Sequence, residues 1–358
     1  MSSQGYKNLV NPVDGKGLHW VTDVNAEIPV KLKPSGPGSE KPITVSEMFL
    51  AAVKKRGPNN ALFVERNGKV VTWTWDQYWL DSMKFAKACH KIGCKERSST
   101  AIMGFNSPEW TIAFQGSVMN NMVGTGIYIT NAPEACFYQA DHSEAEIVAC
   151  ETADQLKRFA MDKLPRVKAF LLWGEKSIPE GCKDPRVYLW SDFLKLGADV
   201  KDNVIMEKIN RQKPGECCCL IYTSGTTGNP KGCMLSHDNL TWTAIPMMNG
   251  VISFAPQLGT HEHRVVSYLP LSHIAGLMVD LISQFIGGHE VYFARPDALA
   301  GTLVQTLNWA RPTIFFAVPR VWEKFEEKLK EIGASKPQFL QNISTWAKGH
   351  GSEKVRLQ

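Results

Sequence analysis

No CxxC pair occurs in this sequence, although it holds nine cysteines. Zinc sites of the finger and ribbon type are built on such pairs, so that chemistry has little support. Three of the cysteines stand together at Cys217, Cys218 and Cys219. Adjacent cysteines at the head of an apolar run read as small buried hydrophobes of a strand, not as a disulfide framework. A run of five or six basic residues is also missing, and the net charge of +5 is spread along the chain. A nucleic-acid-binding tail is therefore not expected. The first ten residues, "MSSQGYKNLV", lack the apolar core of a secretory signal. No stretch approaches the length of a spanning helix, since "IAGLMVDLISQFIGG" is interrupted by Asp280 and Gln284. Together these absences point to a reducing compartment, cytosolic or facing the cytosol.

What is present is an ordinary globular composition, long enough at 358 residues for two or three subdomains. Residues 1–43 are rich in Pro, Gly and Lys and read as an N-terminal extension and linker. Globular structure is expected over 44–358. Thr44 with Glu47, and Thr74 with Gln77, carry the capping-box spacing that opens a helix. Between them "ALFVERNGKVVTW" places two β-rich runs around Asn67-Gly68, a hairpin signal. From Ser99 strands and helices alternate. "STAIMGF", "VGTGIYI", "EIVAC" and "VKAFLLW" are predicted strands, separated by helices over Pro108–Asn120, Pro133–His142 and Ala153–Lys163. The rhythm resumes with "RVVSYLP", a helix from about Ser272, "EVYFA", a helix over Ala298–Ala310, "TIFFA" and a helix over Pro319–Ile332. Such alternation implies parallel pairing with right-handed crossovers, hence an α/β fold of two related parallel-sheet layers.

Residues 222–232 read "YTSGTTGNPKG" and contain no Asp or Glu. Gly225, Gly228 and Gly232 permit turns that bring backbone N–H groups together on an anion. Thr223, Ser224, Thr226 and Thr227 add four hydroxyls that can donate to phosphate oxygens. Lys231 adds a mobile positive charge, and Pro230, following Asn229, stiffens the approach to it. The Walker pattern fails, because Lys231 follows Pro230 and precedes Gly232. A flexible Ser/Thr/Gly linker is the plain alternative, but linkers seldom follow a six-residue apolar run such as "CCCLIY".

The segment "YTSGTTGNPKG" matches, position for position, the phosphate-binding signature of the adenylate-forming superfamily. "IMGFNSPEW", "GTGIYITNAPEA", "SYLPLSHIAG", "VYFARPDAL" and "AVPRVWEKF" resemble, in the same order, the bubblegum branch of the long-chain acyl-CoA synthetases. That resemblance implies a two-step reaction. A long-chain fatty acid attacks Mg-ATP to give acyl-adenylate, and coenzyme A then displaces AMP. By the same carry-over, Thr223, Ser224, Gly225, Thr226, Thr227, Gly228, Asn229, Pro230 and Lys231 embrace the β- and γ-phosphates, with Thr223 also a Mg²⁺ contact. His273 lies near the carboxylate and α-phosphate, while Arg320, Trp322 and Gly276 border the acyl site. Read from residues alone, His273 is equally a helix-starting histidine, and Arg320 and Trp322 part of an amphipathic helix. Asn106, Ser107 and Trp110 lie at a strand-to-helix turn where ligands gather, with capping the simpler account. His261 and His263 form "HEH" without a third ligand nearby, so no metal site is expected there.

Enzymes of this branch also carry a Tyr-Gly-x-Thr/Ser-Glu strand, a ribose-gripping Asp, a hinge and a small C-terminal domain with a catalytic Lys. None occurs after Lys336. The expectation is the N-terminal half of a fatty-acid–CoA ligase, truncated before its hinge and with negligible activity by itself. The alternative is a short nucleotide- or acyl-binding product, or a partner of a full-length ligase. Peptide-synthetase or luciferase chemistry shares the loop but not the segments around it. A cytoplasmic location is expected, with peripheral contact at the endoplasmic reticulum membrane suited to a fatty substrate.

Overall fold

Thr44 opens the first helix as its spacing predicts. Its hydroxyl accepts from the Glu47 N–H at 3.1 Å, and the Glu47 carboxylate accepts from the Thr44 N–H at 2.7 Å. Donors that a helix start leaves unpaired are thereby satisfied. Helix α1 (Val45–Arg56) is followed by strands β1 (Asn60–Arg66) and β2 (Lys69–Thr74), an antiparallel hairpin. Asn67 (φ 52°) and Gly68 (φ 73°) supply the left-handed pair that a two-residue hairpin needs. The capping box recurs at Thr74 and Gln77, where α2 (Trp75–Lys91) begins. The computed structural model describes residues 21–28, 30, 32–36, 39–223, 228–254 and 263–356. The chain divides into two compact units, residues 1–314 and 315–358.

A seven-stranded sheet forms the larger layer of the first unit. In chain order its elements are β3 (Ser99–Met103), α3 (Pro108–Met119), β4 (Val123–Ile127), α4 (Pro133–His142), β5 (Ala145–Cys150), α5 (Ala153–Leu156), β6 (Ala169–Leu172), β7 (Val187–Leu189), α6 (Trp190–Phe193), α7 (Asp202–Arg211), β8 (Cys217–Thr223) and β9 (Lys231–Ser236). The spatial order is β7-β6-β5-β3-β4-β8-β9, parallel throughout except for β8 with β9. Strands β3, β4 and β5 are buried at every residue. Helices covering both faces of a parallel sheet require such continuous apolar runs. The chain winds from β3 to β4, then returns to the far side of β3 for β5. The order reverses there, and ligands of doubly wound folds gather at such reversals, beyond the carboxyl ends of the strands.

The second layer is a four-stranded sheet of order β10-β11-β1-β2. After α8 (His237–Phe254) come β10 (Arg264–Ser267), α9 (Ile274–Gly276), a π-helical turn (Leu277–Ile282), α10 (Ser283–Gly287), β11 (Glu290–Phe293) and α11 (Leu303–Ala310). β11 pairs in parallel with both β10 and β1, so the early hairpin is absorbed into a sheet completed some 200 residues later. The expected α/β class with two mainly parallel layers is what the structure has.

Three expectations fail locally, each for a visible reason. The helix over Ala153–Lys163 stops at Leu156 and gives way to two 3₁₀ turns around Ala160, whose φ is 40°. Arg186 takes the carbonyls of Met161, Leu164 and Val167 at 2.9, 2.9 and 3.1 Å, which holds that segment out of helical continuation. The helix over Ala298–Ala310 is broken at Gly301 (φ 143°), leaving a 3₁₀ turn before α11. "TIFFA" forms no strand, only a single bridge from Ile314 to Val265. The Thr313 hydroxyl pins its start, accepting from the Arg264 N–H at 3.0 Å and meeting His263 Nδ1 at 3.0 Å. Residues before Thr44 already pack on the unit, since the Ile28 N–H donates to Gly215 O at 3.1 Å. The second unit carries α12 (Pro319–Ala334) and α13 (Gln338–Arg356).

Candidate functional site

The acid-free segment joins β8 to β9 at one edge of the seven-stranded sheet. Strand β8 is anchored from within. Cys217, Cys218 and Cys219 are buried, and burial raises all three thiols, so they behave as small neutral hydrophobes. All nine cysteines are free. Tyr222 is 2% exposed, and its hydroxyl lies 2.8 Å from His142 Nδ1 on α4. The next residue emerges. Thr223 is exposed and sits directly across the ladder from Lys231, which is also exposed. Cross-strand partners lie within about 5 Å at Cβ, so a hydroxyl and an ammonium flank the mouth of the loop. Gly228 takes φ 86° with nothing within 4 Å of its would-be Cβ, and Asn229 beside it is exposed. Ser224, Gly225, Thr226 and Thr227 lie outside the described residues.

The turn between β10 and α9 is the second part. His273 is exposed and caps α9, its Nδ1 accepting from the Ala275 N–H at 3.1 Å. A neutral ring used this way carries its proton on Nε2. Both plain and functional readings of this histidine are thus compatible, because the cap occupies one nitrogen only. Gly276 is buried. A Cβ there would meet Pro270 O at 2.5 Å and Leu269 O at 2.7 Å, so its smallness serves the approach of helix to turn. Gly126 on β4 lies against Ser272 in the same way, its Cβ position 2.6 Å from Ser272 Cα. The two layers therefore meet at this turn.

Asn106 makes that junction, and capping logic did not reveal it. The cap is Ser107, whose hydroxyl accepts from the Trp110 N–H at 3.3 Å. Asn106, 4% exposed, reaches across to the other layer. Its amide nitrogen donates to Ser267 Oγ at 2.8 Å and Leu269 O at 2.7 Å, and its oxygen accepts from the Leu271 N–H at 3.1 Å. Only an Asn immediately before a Ser-Pro helix start hinted at it, and the partners lie more than 160 positions away. Trp110 is buried and stacks on Phe114 at 5.8 Å, so it belongs to the core.

Asp280, on the π-turn, was not singled out for chemistry. It is 6% exposed, and its Oδ2 has no hydrogen-bond partner. Burial pushes its carboxyl up to about 8, with the Ser267 hydroxyl acting weakly in the opposite direction. The buried Tyr268 phenol faces the same charge and is pushed up to about 12, mainly by burial. Between pH 3.8 and about 8 the native state keeps a proton that the unfolded chain has released. Stability should therefore fall as pH rises through that window, by about 1.4 kcal/mol per unit, and level off above it. Asp280→Asn should remove this slope, so urea unfolding at pH 5 and pH 8 should show the variant gaining on the parent only at the higher value.

Arg320 and Trp322 belong to the second unit, on α12, and are exposed. Arg320 pairs with Glu323 at 2.8 Å, and Trp322 meets Phe315 edge-on at 5.5 Å. Glu326 with Lys330 at 2.6 Å and Lys328 with Glu331 at 2.8 Å decorate the same helix as solvated pairs. His263 is described and buried, whereas His261 lies outside the described residues. Among the described residues no group of three or more His, Cys, Asp or Glu is placed to hold a metal ion.

Comparison with known proteins gives this geometry a family. The model of the AMP-binding enzyme family matches residues 50–353. The long-chain-fatty-acid–CoA ligase ACSBG2 of Gallus gallus is 45% identical over 335 residues, covering 93% of this chain and 43% of the relative. The long-chain-fatty-acid–CoA ligase ACSBG1 of Homo sapiens is 40% identical over 336 residues, covering 92% and 45%. The chain thus spans somewhat under half the length of these curated relatives. Among solved structures, the anthranilate CoA ligase AuaEII in complex with anthranoyl-AMP superposes with a TM-score of 0.62 at 20% identity, over 79% of this chain and 51% of that one. A fatty acyl-adenylate ligase from L. pneumophila, in complex with acyl adenylate and pyrophosphate, gives 0.57 at 18% identity over 76% and 44%. At such identities the likeness is one of fold. With the family model covering most of its length, this chain belongs to the AMP-binding enzyme family.

Proposed function

We propose that this chain grips the triphosphate of Mg-ATP for the activation of a long-chain fatty acid, the first step of fatty-acid–CoA ligation. The observation that carries the reading is the pairing of Thr223 with Lys231 across the β8–β9 register, closing a loop rich in Ser, Thr and Gly and free of acids. Similarity to ligases whose names specify long-chain fatty acids supports the substrate class.

In this reading a carboxylate oxygen forms a bond to the α-phosphorus while the α–β bridging bond breaks, and pyrophosphate leaves with the electron pair. A coenzyme A thiolate then attacks the acyl carbon and AMP departs. Charge accumulates on the leaving pyrophosphate, where Lys231, the loop hydroxyls and backbone amides stabilise it. Mg²⁺ enters with the nucleotide as part of the substrate, and the Thr223 hydroxyl is a hard oxygen suited to it. The Nε2–H of His273 offers a donor to a carboxylate or phosphate oxygen. Arg320 and Trp322 are assigned to the acyl side and Gly276 to the turn beneath His273. A cytoplasmic location with peripheral contact at the endoplasmic reticulum membrane suits the substrate; no helix among the described residues is long and apolar enough to cross a membrane.

The test uses residues 1–358 with Mg-ATP, oleate and coenzyme A. Calorimetry should register nucleotide uptake, while acyl-CoA formation should stay at background, because catalytic groups act only when positioned together. Absence of nucleotide uptake would overturn the binding role. Robust acyl-CoA synthesis would overturn the view that these residues hold only part of the machinery.

A further inference from the structure

We propose that His142, exposed at the end of α4, is a positioning residue for the Thr223–Lys231 rung, acting through the hydroxyl of Tyr222 from the back of the seven-stranded sheet. The proposal rests on the reading of that rung as a phosphate grip and adds the group that sets its place.

Tyr222 is the last buried residue of β8 before the rung, and its hydroxyl meets His142 Nδ1 at 2.8 Å. The same hydroxyl reaches Gln139 O, about one turn earlier on α4, at 3.4 Å. Successive strand residues face opposite sides of a sheet, so Tyr222 turns toward α4 while Thr223 turns away from it. His142 therefore works from behind the rung. Gly232 stands directly across the ladder from Tyr222. A Cβ at Gly232 would lie 3.4 Å from the Tyr222 Cζ and 3.5 Å from its Cε1, so the phenol ring lies against the backbone of β9 as well. An aromatic ring laid over an edge-strand glycine pins register. Strand β9 is the last of the sheet, with β8 as its neighbour. One ring thus sets both the end of β8 and the strand that carries Lys231.

What His142 contributes is a fixed anchor for that ring. A buried hydroxyl without a partner costs free energy, so the phenol settles where α4 offers one. Burial raises the Tyr222 phenol, which keeps its proton to donate. Either form of the imidazole serves. A neutral Nδ1 accepts the phenol proton, whereas a charged ring donates from Nδ1 and the phenol proton turns to Gln139 O. The anchor is itself held. Cys136 and Ala140 of α4 are buried in one apolar cluster with Met103 of β3 and Val148 of β5. Tyr138 stacks on the His142 ring at 5.2 Å and meets Tyr222 edge-on at 6.5 Å. Without the tie the phenol ring is free to tilt, and the rung beyond it loses its set distance from α4.

The experiment takes the 358-residue chain and follows hydrogen–deuterium exchange across β9, residues 231–236, by mass spectrometry. In His142→Ala and in Tyr222→Phe exchange there should quicken about 3- to 10-fold, the loss of one hydrogen bond read as local opening. Strands β3 and β4 should exchange as in the parent. His142→Asn keeps a polar atom near the place of Nδ1 and should restore the parent rate, which a loss of bulk alone would not allow. Unchanged exchange in both disruptive variants, or exchange in His142→Asn as fast as in His142→Ala, would overturn the proposal. Should Tyr222→Phe quicken β3 as well, His142→Ala decides, since that side chain is exposed and its loss opens no core. Unchanged exchange there is fatal. Titration gives a second reading. Both disruptive variants should bind Mg-ATP more weakly by a similar factor and AMP as the parent does, because AMP lacks the phosphates assigned to the rung. Equal weakening of the two nucleotides would mean a general structural role and would also overturn the proposal. Exchange needs no nucleotide, so a parent chain that takes up no Mg-ATP counts against the proposed function, while β9 exchange still decides the role of His142.

Discussion

Replacing Lys231 with alanine is expected to weaken Mg-ATP binding roughly 10- to 100-fold, the range for losing one charge-assisted contact of about 1.5–3 kcal/mol. Its ammonium stands at the loop mouth opposite Thr223 and is exposed, so the free chain loses no core packing with it. Salt should shrink the parent's affinity more than the variant's, since exposed charges are screened beyond about 8 Å at physiological ionic strength. Lys231→Arg should recover part of the loss. It keeps the charge, but a planar fork replaces a compact ammonium behind the rigid Pro230. Calorimetric titration at two salt concentrations checks all of this. An alanine variant that binds as well as the parent would show that the charge is not used on phosphate.

Gly276→Ala should destabilise the first unit by roughly 1–3 kcal/mol, the usual cost of forcing a methyl into filled space. The atoms it would meet are the carbonyl oxygens of Pro270 and Leu269, backbone that cannot swing aside. The turn they belong to is the one Asn106 holds, so the shift should also move His273. Gly250 on α8 provides the control. Its Cβ position has nothing within 4 Å, so alanine there should be neutral or stabilising by up to about 1 kcal/mol. Urea unfolding of the two variants separates the cases. Equal stability for both would mean that the helix and turn are not in close contact at Gly276.

Local chemistry was legible in the sequence wherever a few neighbouring residues decide it. Thr44 with Glu47 and Thr74 with Gln77 are self-contained caps, and Asn67-Gly68 is a self-contained turn. The alternation of elements foretold parallel layers. It could not say that the β1–β2 hairpin would join β11, because that pairing is settled by packing across more than 200 positions. The breaks near Ala160 and after Ile314 escaped for the same reason. The first follows from Arg186 gathering carbonyls and the second from Thr313 binding the strand edge. The least legible part of the site is its support. Asn106 reads in the sequence as a neighbour of a cap. The clasp of Asn106 on Ser267 and on the turn after it exists only once the two layers pack together.

The proposed function requires that the loop between β8 and β9 hold the phosphate tail of a nucleotide rather than some other anion or nothing. Titrating the chain with Mg-ATP and with AMP at equal ionic strength, and then repeating the ATP titration in pyrophosphate, addresses this directly. Two extra phosphates gripped by charge-assisted contacts should make ATP bind at least about tenfold tighter than AMP, and pyrophosphate should compete with it. Equal affinity for ATP and AMP, or no competition from pyrophosphate, would contradict the account.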